Sequence, residues 1–249
     1  MADINPDGRR SVILGATSAL GQAVARDLAA RGEALALVAR DAGRLERVAA
    51  DLEVRGAEVS RHVLDFDDVG AHDGLMDALG EADDYWLFYG TLPDQAACEQ
   101  DWERAAAALH TNFTSAASLL TRAANRLEAR GRGSLVVVSS VAGDRGRGSN
   151  YVYGAAKGAL SLFCQGLRNR LSKHGVQVVT IKPGFIDTPM TADVPKSPAA
   201  LWATPERVAR DMVRARDRGA DVRYTPWFWY PIMTIIKGIP ERVFKRLSL

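Results

Sequence analysis

Tyr153 and Lys157 stand four residues apart in Tyr151-Val152-Tyr153-Gly154-Ala155-Ala156-Lys157. On a helix that spacing puts both side chains on one face. A free phenol, with a pKa of about 10, is a poor acid–base group at neutral pH. An ammonium beside it favours the phenolate and is expected to bring that pKa down, so that the phenol can work as a general acid or base. Tyr151 lies six residues before the lysine and is expected to point elsewhere. Upstream, Val138-Ser139-Ser140 ends an apolar run. A serine at such a strand end can donate a hydrogen bond to a substrate carbonyl. The bland reading of the pair is a surface Tyr/Lys contact at helical spacing.

A second group of residues bears on that choice. The first apolar run ends in Leu14-Gly15-Ala16-Thr17-Ser18-Ala19-Leu20-Gly21, and a helical pattern starts inside it. Small residues let a backbone approach a pyrophosphate, and a helix N-terminus supplies N–H groups and positive dipole. Gly15, Thr17, Ser18, Ala19, Leu20 and Gly21 are therefore the candidate phosphate contacts. The spacing is Gly-x3-Ala-x-Gly, which a plain strand-to-helix turn can also carry. The second strand ends Val38-Ala39-Arg40. Dinucleotide sites that take NAD commonly place a carboxylate there, whereas those that take NADP place an arginine. Ala39 cannot accept a ribose hydrogen bond, and Arg40 can clamp a 2′-phosphate. Arg40 thus favours NADP(H) over NAD(H), against the alternative of a solvated arginine opening a charged helix.

The elements that must hold these residues alternate along the chain. Ser11–Leu14, Ala34–Ala39, Glu58–Leu64, Asp84–Tyr89, Leu135–Ser139, Gln177–Lys182 and Asp221–Tyr224 read as strands. Helical spacing covers Ala19–Arg31, Arg44–Arg55, one long segment from about Gln95 to Arg130, and Tyr151–His174. Thr204-Pro205 reads as an N-cap with proline in the first turn of a helix running to about Arg218. Continuous apolar strands alternating with helices mean a parallel sheet covered on both faces. The expectation is one α/β domain over 1–249, doubly wound, with about seven strands. In such sheets ligands sit beyond the carboxyl ends of the strands.

The chain has 249 residues, with Lys+Arg 32 against Asp+Glu 30 for a formal net charge of +2. That balance gives no electrostatic case for a nucleic-acid partner. Cys98 and Cys164 are the only cysteines, and the four histidines (62, 72, 110, 174) show no paired spacing. A disulfide scaffold and a metal site are not expected. Met1–Arg10 is polar and no apolar run reaches the ~18 residues of a membrane span. The expected location is cytoplasmic.

In these features the chain resembles the short-chain dehydrogenase/reductase family, from Ser11 to about Tyr224. Gly15, Ala19 and Gly21 match its glycine motif, with alanine at the usual middle glycine. Asp65-Phe66 falls where the family contacts adenine, and Tyr153-x3-Lys157 matches its signature. Ser140, thirteen residues before Tyr153, matches the catalytic serine better than Ser139 does. Asn112, in His110-Thr111-Asn112-Phe113, corresponds to the asparagine that kinks the long helix and holds a relay water. Pro183-Gly184-Phe185-Ile186-Asp187-Thr188 matches the loop that grips nicotinamide and phosphates, with Pro183, Gly184, Ile186 and Thr188 as candidate contacts. Where the family has Asn-Asn-Ala-Gly, this chain has Leu87-Phe88-Tyr89-Gly90, keeping only Gly90. The resemblance implies a Rossmann fold, a homodimer or homotetramer, and hydride transfer between cofactor and a carbonyl or alcohol. Asn112, Ser140, Tyr153 and Lys157 would be the catalytic set, with Tyr153 the acid–base group and Lys157 on the nicotinamide ribose. A catalytically silent nucleotide sensor on the same fold is the alternative, and the complete set argues against it. The dehydratases and epimerases of the family carry a larger C-terminal domain than 249 residues leave room for. The four-residue Tyr–Lys interval argues against an enoyl reductase.

Residues 189–203, with Met190, two prolines and Trp202, have the position of a substrate loop. The end of the chain, 225–249, is an aromatic and basic extension. Six of the 18 aromatics lie between Tyr224 and Leu249, and Pro226–Leu249 carries Lys237, Arg242, Lys245 and Arg246 against Glu241. That is +3, which leaves −1 for the rest of the chain. Such a segment suits a lipid–water boundary with anionic headgroups, or packing against the domain, a partner subunit or substrate. Ile239-Pro240-x3-Phe244-Lys245-Arg246-Leu247 also resembles the end of reductases acting on decaprenylphosphoryl 2-keto-pentofuranose. This implies a lipid-linked or bulky hydrophobic carbonyl substrate and peripheral membrane contact.

Overall fold

In the computed structural model, which describes residues 8–247, the apolar runs become a parallel sheet. The polar start Met1–Asp7 and the final Ser248-Leu249 lie outside the described residues. The first half contains β1 (Arg10–Leu14), α1 (Ala19–Ala29), β2 (Ala34–Ala39), α2 (Ala42–Val54), β3 (Val59–Val63), α3 (His72–Leu79) and β4 (Asp84–Leu87). After these come α4 (Gln95–Gln100), α5 (Trp102–Leu109), a π-turn (His110–Thr114), α6 (Ser115–Arg130), β5 (Gly133–Val138), α7 (Tyr151–Leu171) and β6 (Val176–Pro183). The chain closes with β7 (Phe185–Ile186), β8 (Trp202–Ala203), α8 (Pro205–Asp217), β9 (Val222–Thr225), α9 (Trp229–Gly238) and α10 (Glu241–Phe244).

The seven-stranded sheet has the order β3-β2-β1-β4-β5-β6-β9, with every pairing parallel. Successive side chains of a strand point to opposite faces. Val12 and Leu14 accordingly join the core under α3, α6 and α7, while Ile13 joins the core under α1, α2 and α8. The register aligns Leu14 with Val38 on one side and with Leu87 on the other. The carboxyl ends of β1, β2 and β4 therefore finish level. The chain's winding reverses between β1 and β4, which is where an open α/β sheet has its crevice.

Several elements differ from expectation. The segment from Gln95 to Arg130 is not one helix. Asp101 is extended (φ −140°, ψ 106°) and its side chain accepts from Glu103 N, ending α4 and capping α5. The π-turn then interrupts the helix a second time, at Asn112, where the family resemblance implies a kink. Helix α3, lying between Gly70 and Gly80, adds an element to those expected from the sequence. The fourth strand stops at Leu87 and the fifth at Val138, leaving Phe88, Tyr89 and Ser139 beyond the sheet. Past α7, Ser172–His174 tightens into a 3₁₀ turn. The expected cap is present: Thr204 accepts from Arg207 N, with Pro205 in the first turn of α8. Among the described residues no helix is long and apolar enough to cross a membrane.

Candidate active site

Gly15 leaves β1 with φ +93°, a conformation that L side chains rarely adopt. A Cβ there would also lie 2.8 Å from Tyr89 N. The turn then closes on itself. Ser18 caps α1 by accepting from Gly21 N at 3.0 Å and donates to Gly15 O at 2.8 Å. A Cβ on Gly21 would sit 2.6 Å from Gly15 O, so Gly21 works by keeping the turn tight, and it does not line the cleft. Thr17, Ser18, Ala19 and Leu20 do line it.

The cleft runs as two adjoining hollows of about 230 and 240 Å³. One holds Gly15, Arg40, Asp65 and Phe66, the expected adenine end. The other holds Asn112, Ser140, Tyr153, Lys157, Pro183, Gly184, Ile186 and Thr188. Gly90 belongs to both. Every site residue expected from sequence except Gly21 therefore faces this one crevice. Arg44 was missed. It borders both hollows, and its Nη2 donates to Thr17 O at 3.1 Å, tying α2 to the glycine turn. Its signal was its place four residues after Arg40, in the first turn of the helix that Asp41 caps.

At the other end Asn112 sits in the π-turn, 1% exposed. Its Nδ2 donates to Ala108 O and Thr91 O, both at 2.9 Å, and its Oδ1 accepts from Thr91 N at 3.1 Å. Gly90 is needed beside it, because a Cβ there would meet Asn112 Oδ1 at 2.6 Å and Lys157 Nζ at 3.3 Å. Ser140 caps the 3₁₀ turn Val141–Asp144, accepting from Ala142 N at 3.1 Å. Ser139 has other work: its buried hydroxyl donates to Lys157 O at 2.9 Å and meets Ser161 Oγ at 2.7 Å. Tyr151 is 46% exposed and outside the cleft.

The electrostatics correct one expectation. Lys157 does not lower the Tyr153 phenol in this structure. Burial pushes the phenol up to about 12, opposed only by hydrogen bonding to Ser140. Burial also pulls Lys157 down to about 8. Its Nζ donates to Val138 O at 3.2 Å and lies 5.8 Å from the centre of the Tyr153 ring. Desolvation is the largest cause of both shifts, and it disfavours the charged form of each group.

Where the family has Asn-Asn-Ala-Gly, this chain forms an aromatic lock. The Tyr89 ring stacks on Phe66 at 4.0 Å and 6°, and its hydroxyl meets Ser115 Oγ at 2.8 Å. Ser115 in turn donates to Phe66 O. This joins the end of β4, the Asp65-Phe66 segment and α6, a connection that residue spacing does not reveal. Across the cleft, Gly184 N donates to Thr225 O at 3.1 Å. The 189–203 segment contributes Met190 and Thr191 to the walls, while Trp202 stacks on Phe185 at 5.1 Å.

Residues 9–199 match the family profile described as short chain dehydrogenase. The chain belongs to that family. It is 41% identical over 241 residues to an uncharacterized oxidoreductase of Mycobacterium tuberculosis, covering 95% of this chain and 96% of the relative. An uncharacterized oxidoreductase of Streptomyces coelicolor is 38% identical over 251 residues, covering 98% of each chain. A solved short chain dehydrogenase/reductase family protein superposes with a TM-score of 0.79 at 28% identity, covering 90% of this chain and 97% of its own. A Beutenbergia cavernae protein described as an NAD(P)-dependent gluconate 5-dehydrogenase, with bound NADP, matches in fold with a TM-score of 0.81 at 23% identity, over 92% and 99% of the chains. The chain is thus an oxidoreductase of a family that binds NAD(P). Its own residues fit such a dinucleotide: Gly15 and Gly21 make the tight turn, the start of α1 offers free N–H groups, and Gly90 keeps the floor open beside Asn112 and Lys157.

Proposed function

We propose that this short-chain dehydrogenase interconverts a carbonyl and an alcohol with NADP(H), Tyr153 being the general acid–base. The observation that carries the reading is convergence. Asn112 from the π-turn, Ser140 from the end of β5, and Tyr153 and Lys157 from α7 all line the crevice that the glycine turn also lines. When bound, the cofactor supplies or takes up the hydride. The protein's own groups handle the proton and the oxygen. With its phenol pushed up to about 12, Tyr153 holds its proton at pH 7, the form needed to protonate a carbonyl oxygen in reduction. Ser140 donates a second hydrogen bond to that oxygen, Lys157 holds the nicotinamide ribose, and Asn112 orders the path to solvent. Arg40 and Arg44 together supply two guanidinium groups for a 2′-phosphate, which supports NADP(H) over NAD(H).

The test pairs binding with turnover. NADPH should raise the melting temperature of wild type and of Tyr153→Phe equally, and more than NADH does at the same concentration. Tyr153→Phe should have lost NADPH oxidation over a panel of ketones, keto-sugars and polyprenyl-linked keto-sugars. Wild-type turnover by that variant refutes the assignment.

The substrate class we infer is a lipid-linked or bulky hydrophobic carbonyl, approached from a membrane surface. Trp227, Tyr230, Ile235, Val243 and Leu247 are exposed on the C-terminal segment, beside exposed Lys237, Arg242, Lys245 and Arg246. Aromatic rings next to cations suit an anionic headgroup layer. Wild type should co-sediment with phosphatidylglycerol vesicles, and a Tyr230→Ser/Ile235→Ser double variant should stay in solution. Equal sedimentation removes the membrane contact. A homodimer or homotetramer through α5–α7 completes the reading, with exposed Trp102 and Leu162 on those helices available to a second copy.

A further inference from the structure

The turn that follows Ser140 is held from behind by charged residues facing away from the cleft. Gly143 seats its first half on α7, where a Cβ would lie 2.6 Å from Gly158 N. Its second half has a different anchor. Asp144, with a side chain 3% exposed, accepts from Lys182 Nζ at 2.5 Å and from Tyr224 Oη at 2.6 Å. Lys182 directly precedes Pro183-Gly184, the opposite wall of the cleft. Arg145 comes next. Its Nη1 donates to Lys237 O at 2.9 Å and Ile239 O at 2.7 Å, and its Nη2 pairs with Glu241 at 2.8 Å. Its guanidinium lies 4.0 Å from the centre of the Phe244 ring. The carbonyls it satisfies are those that a helix leaves unpaired at its C-terminus, here the end of α9.

The same helix reaches the other wall. Trp229 is buried against Gly184, so closely that a Cβ on the glycine would fall inside the indole. Its ring meets Phe185 edge-on at 5.4 Å. The C-terminal segment thus holds the Ser140 turn through Arg145 and the Pro183-Gly184 corner through Trp229. The buried Asp144–Lys182 pair ties one wall to the other.

We propose that α9 and α10 form a strut of the active site, with Arg145 and Trp229 as positioning residues that fix the Ser140 turn against the Pro183-Gly184 corner. This rests on the catalytic reading of Ser140 given above, and it assigns a task inside the enzyme to a segment whose outer face points elsewhere. Neither residue touches the cleft, so their effect is on placement alone.

The test uses the full chain with Arg145→Ala and Arg145→Lys, probed by backbone hydrogen exchange and by two ligands, NADPH and 2′,5′-ADP. Arg145→Ala should raise exchange at least tenfold over residues 139–148 and 182–188, and leave the glycine turn at 15–22 unchanged. The rise in nicotinamide fluorescence when NADPH binds should fall at least twofold. The Kd for 2′,5′-ADP, which reports the adenine end alone, should stay within twofold. Arg145→Lys, which keeps a cation able to reach the carbonyls, should recover most of both losses. Wild-type exchange over 139–148 in Arg145→Ala, or a rise spread evenly along the chain, overturns the strut. Should Arg145→Ala fail to fold, Glu241→Ala removes one exposed contact of the same anchor and should raise exchange over 139–148 at least threefold; no rise overturns the proposal equally. The two readings fail separately. An active Tyr153→Phe sinks the acid–base assignment while the exchange pattern stands, and an inactive Tyr153→Phe beside an unperturbed Arg145→Ala sinks only the strut.

Discussion

Burial drives Tyr153 and Lys157 the same way, toward their uncharged forms, and that has a measurable consequence for the ligand-free protein. Lys157 titrates near 8 when folded, below its ordinary 10.5. Between those two values the unfolded chain binds a proton that the folded chain has shed, so this group makes stability rise with pH from about 8 to about 10.5. Below pH 8 the buried ammonium costs about 3 kcal/mol. Tyr153 acts in the opposite sense at higher pH: above 10 the unfolded phenol ionises, while the folded one keeps its proton up to about 12, and stability falls. Lys157→Met should therefore melt above wild type at pH 7, with the gap closing as pH rises from 8 to 10. Melts at pH 7, 8, 9 and 10 without ligand decide it, and parallel profiles for the two proteins would show that the ammonium is not paying a burial cost.

At the scale of elements, the site depends on interruptions more than on regular structure. The π-turn presents Asn112 to Thr91 and the cleft, and the irregular stretch after β4 presents Tyr89 to Phe66 and Ser115. Tyr89 is 8% exposed. Tyr89→Ala should cost roughly 3–5 kcal/mol, as large aromatic truncations in cores do. Tyr89→Phe keeps the stack and loses one hydrogen bond, for about 1 kcal/mol. Urea midpoints at constant m-value measure both, and near-equal losses would mean that the stack contributes nothing beyond the hydroxyl. These interruptions mark the limit of what the sequence shows. The strands were legible because a parallel sheet covered on both faces needs unbroken apolar runs, and α8 because Thr204-Pro205 carries a cap and a first-turn proline. The Tyr153–Lys157 face followed from helical spacing alone. The break at Asp101 was hidden, since the apolar positions on either side continue in phase, whereas the one at His110–Thr114 falls where the family resemblance implies a kink at Asn112. Arg145 and the Tyr89 stack were hidden for another reason: each acts on a residue at least 23 positions away, and only the fold brings them together. The shifts of Tyr153 and Lys157 depend on burial, which residue spacing does not reveal.

For the whole molecule, the parallel sheet separates two poles about 15 Å apart, the length of a five-residue strand. The cleft occupies the carboxyl ends. At the amino ends lies a buried charge network: Arg216, 4% exposed, pairs with Glu33 at 2.8 Å and Asp84 at 2.9 Å, and its guanidinium lies 5.3 Å from the Trp86 ring. Ser11 donates to Glu33 at 2.7 Å and accepts from Trp86 Nε1 at 3.3 Å, while Ser134 donates to Asp84. This network fastens α8 to β1, β4 and β5 from below. Removing one partner of a buried pair strands the others, which typically costs 3–5 kcal/mol. Arg216→Ala, which takes the cation from Glu33 and leaves Asp84 only its pair with the partly exposed Arg9 at 3.2 Å, should therefore lower the melting temperature sharply. Because the poles are separate, the surviving folded protein should bind NADPH with wild-type affinity, measured well below its melting point. A loss of NADPH affinity without a loss of stability would show that the strands transmit strain from one pole to the other, and that the division of labour between them is false.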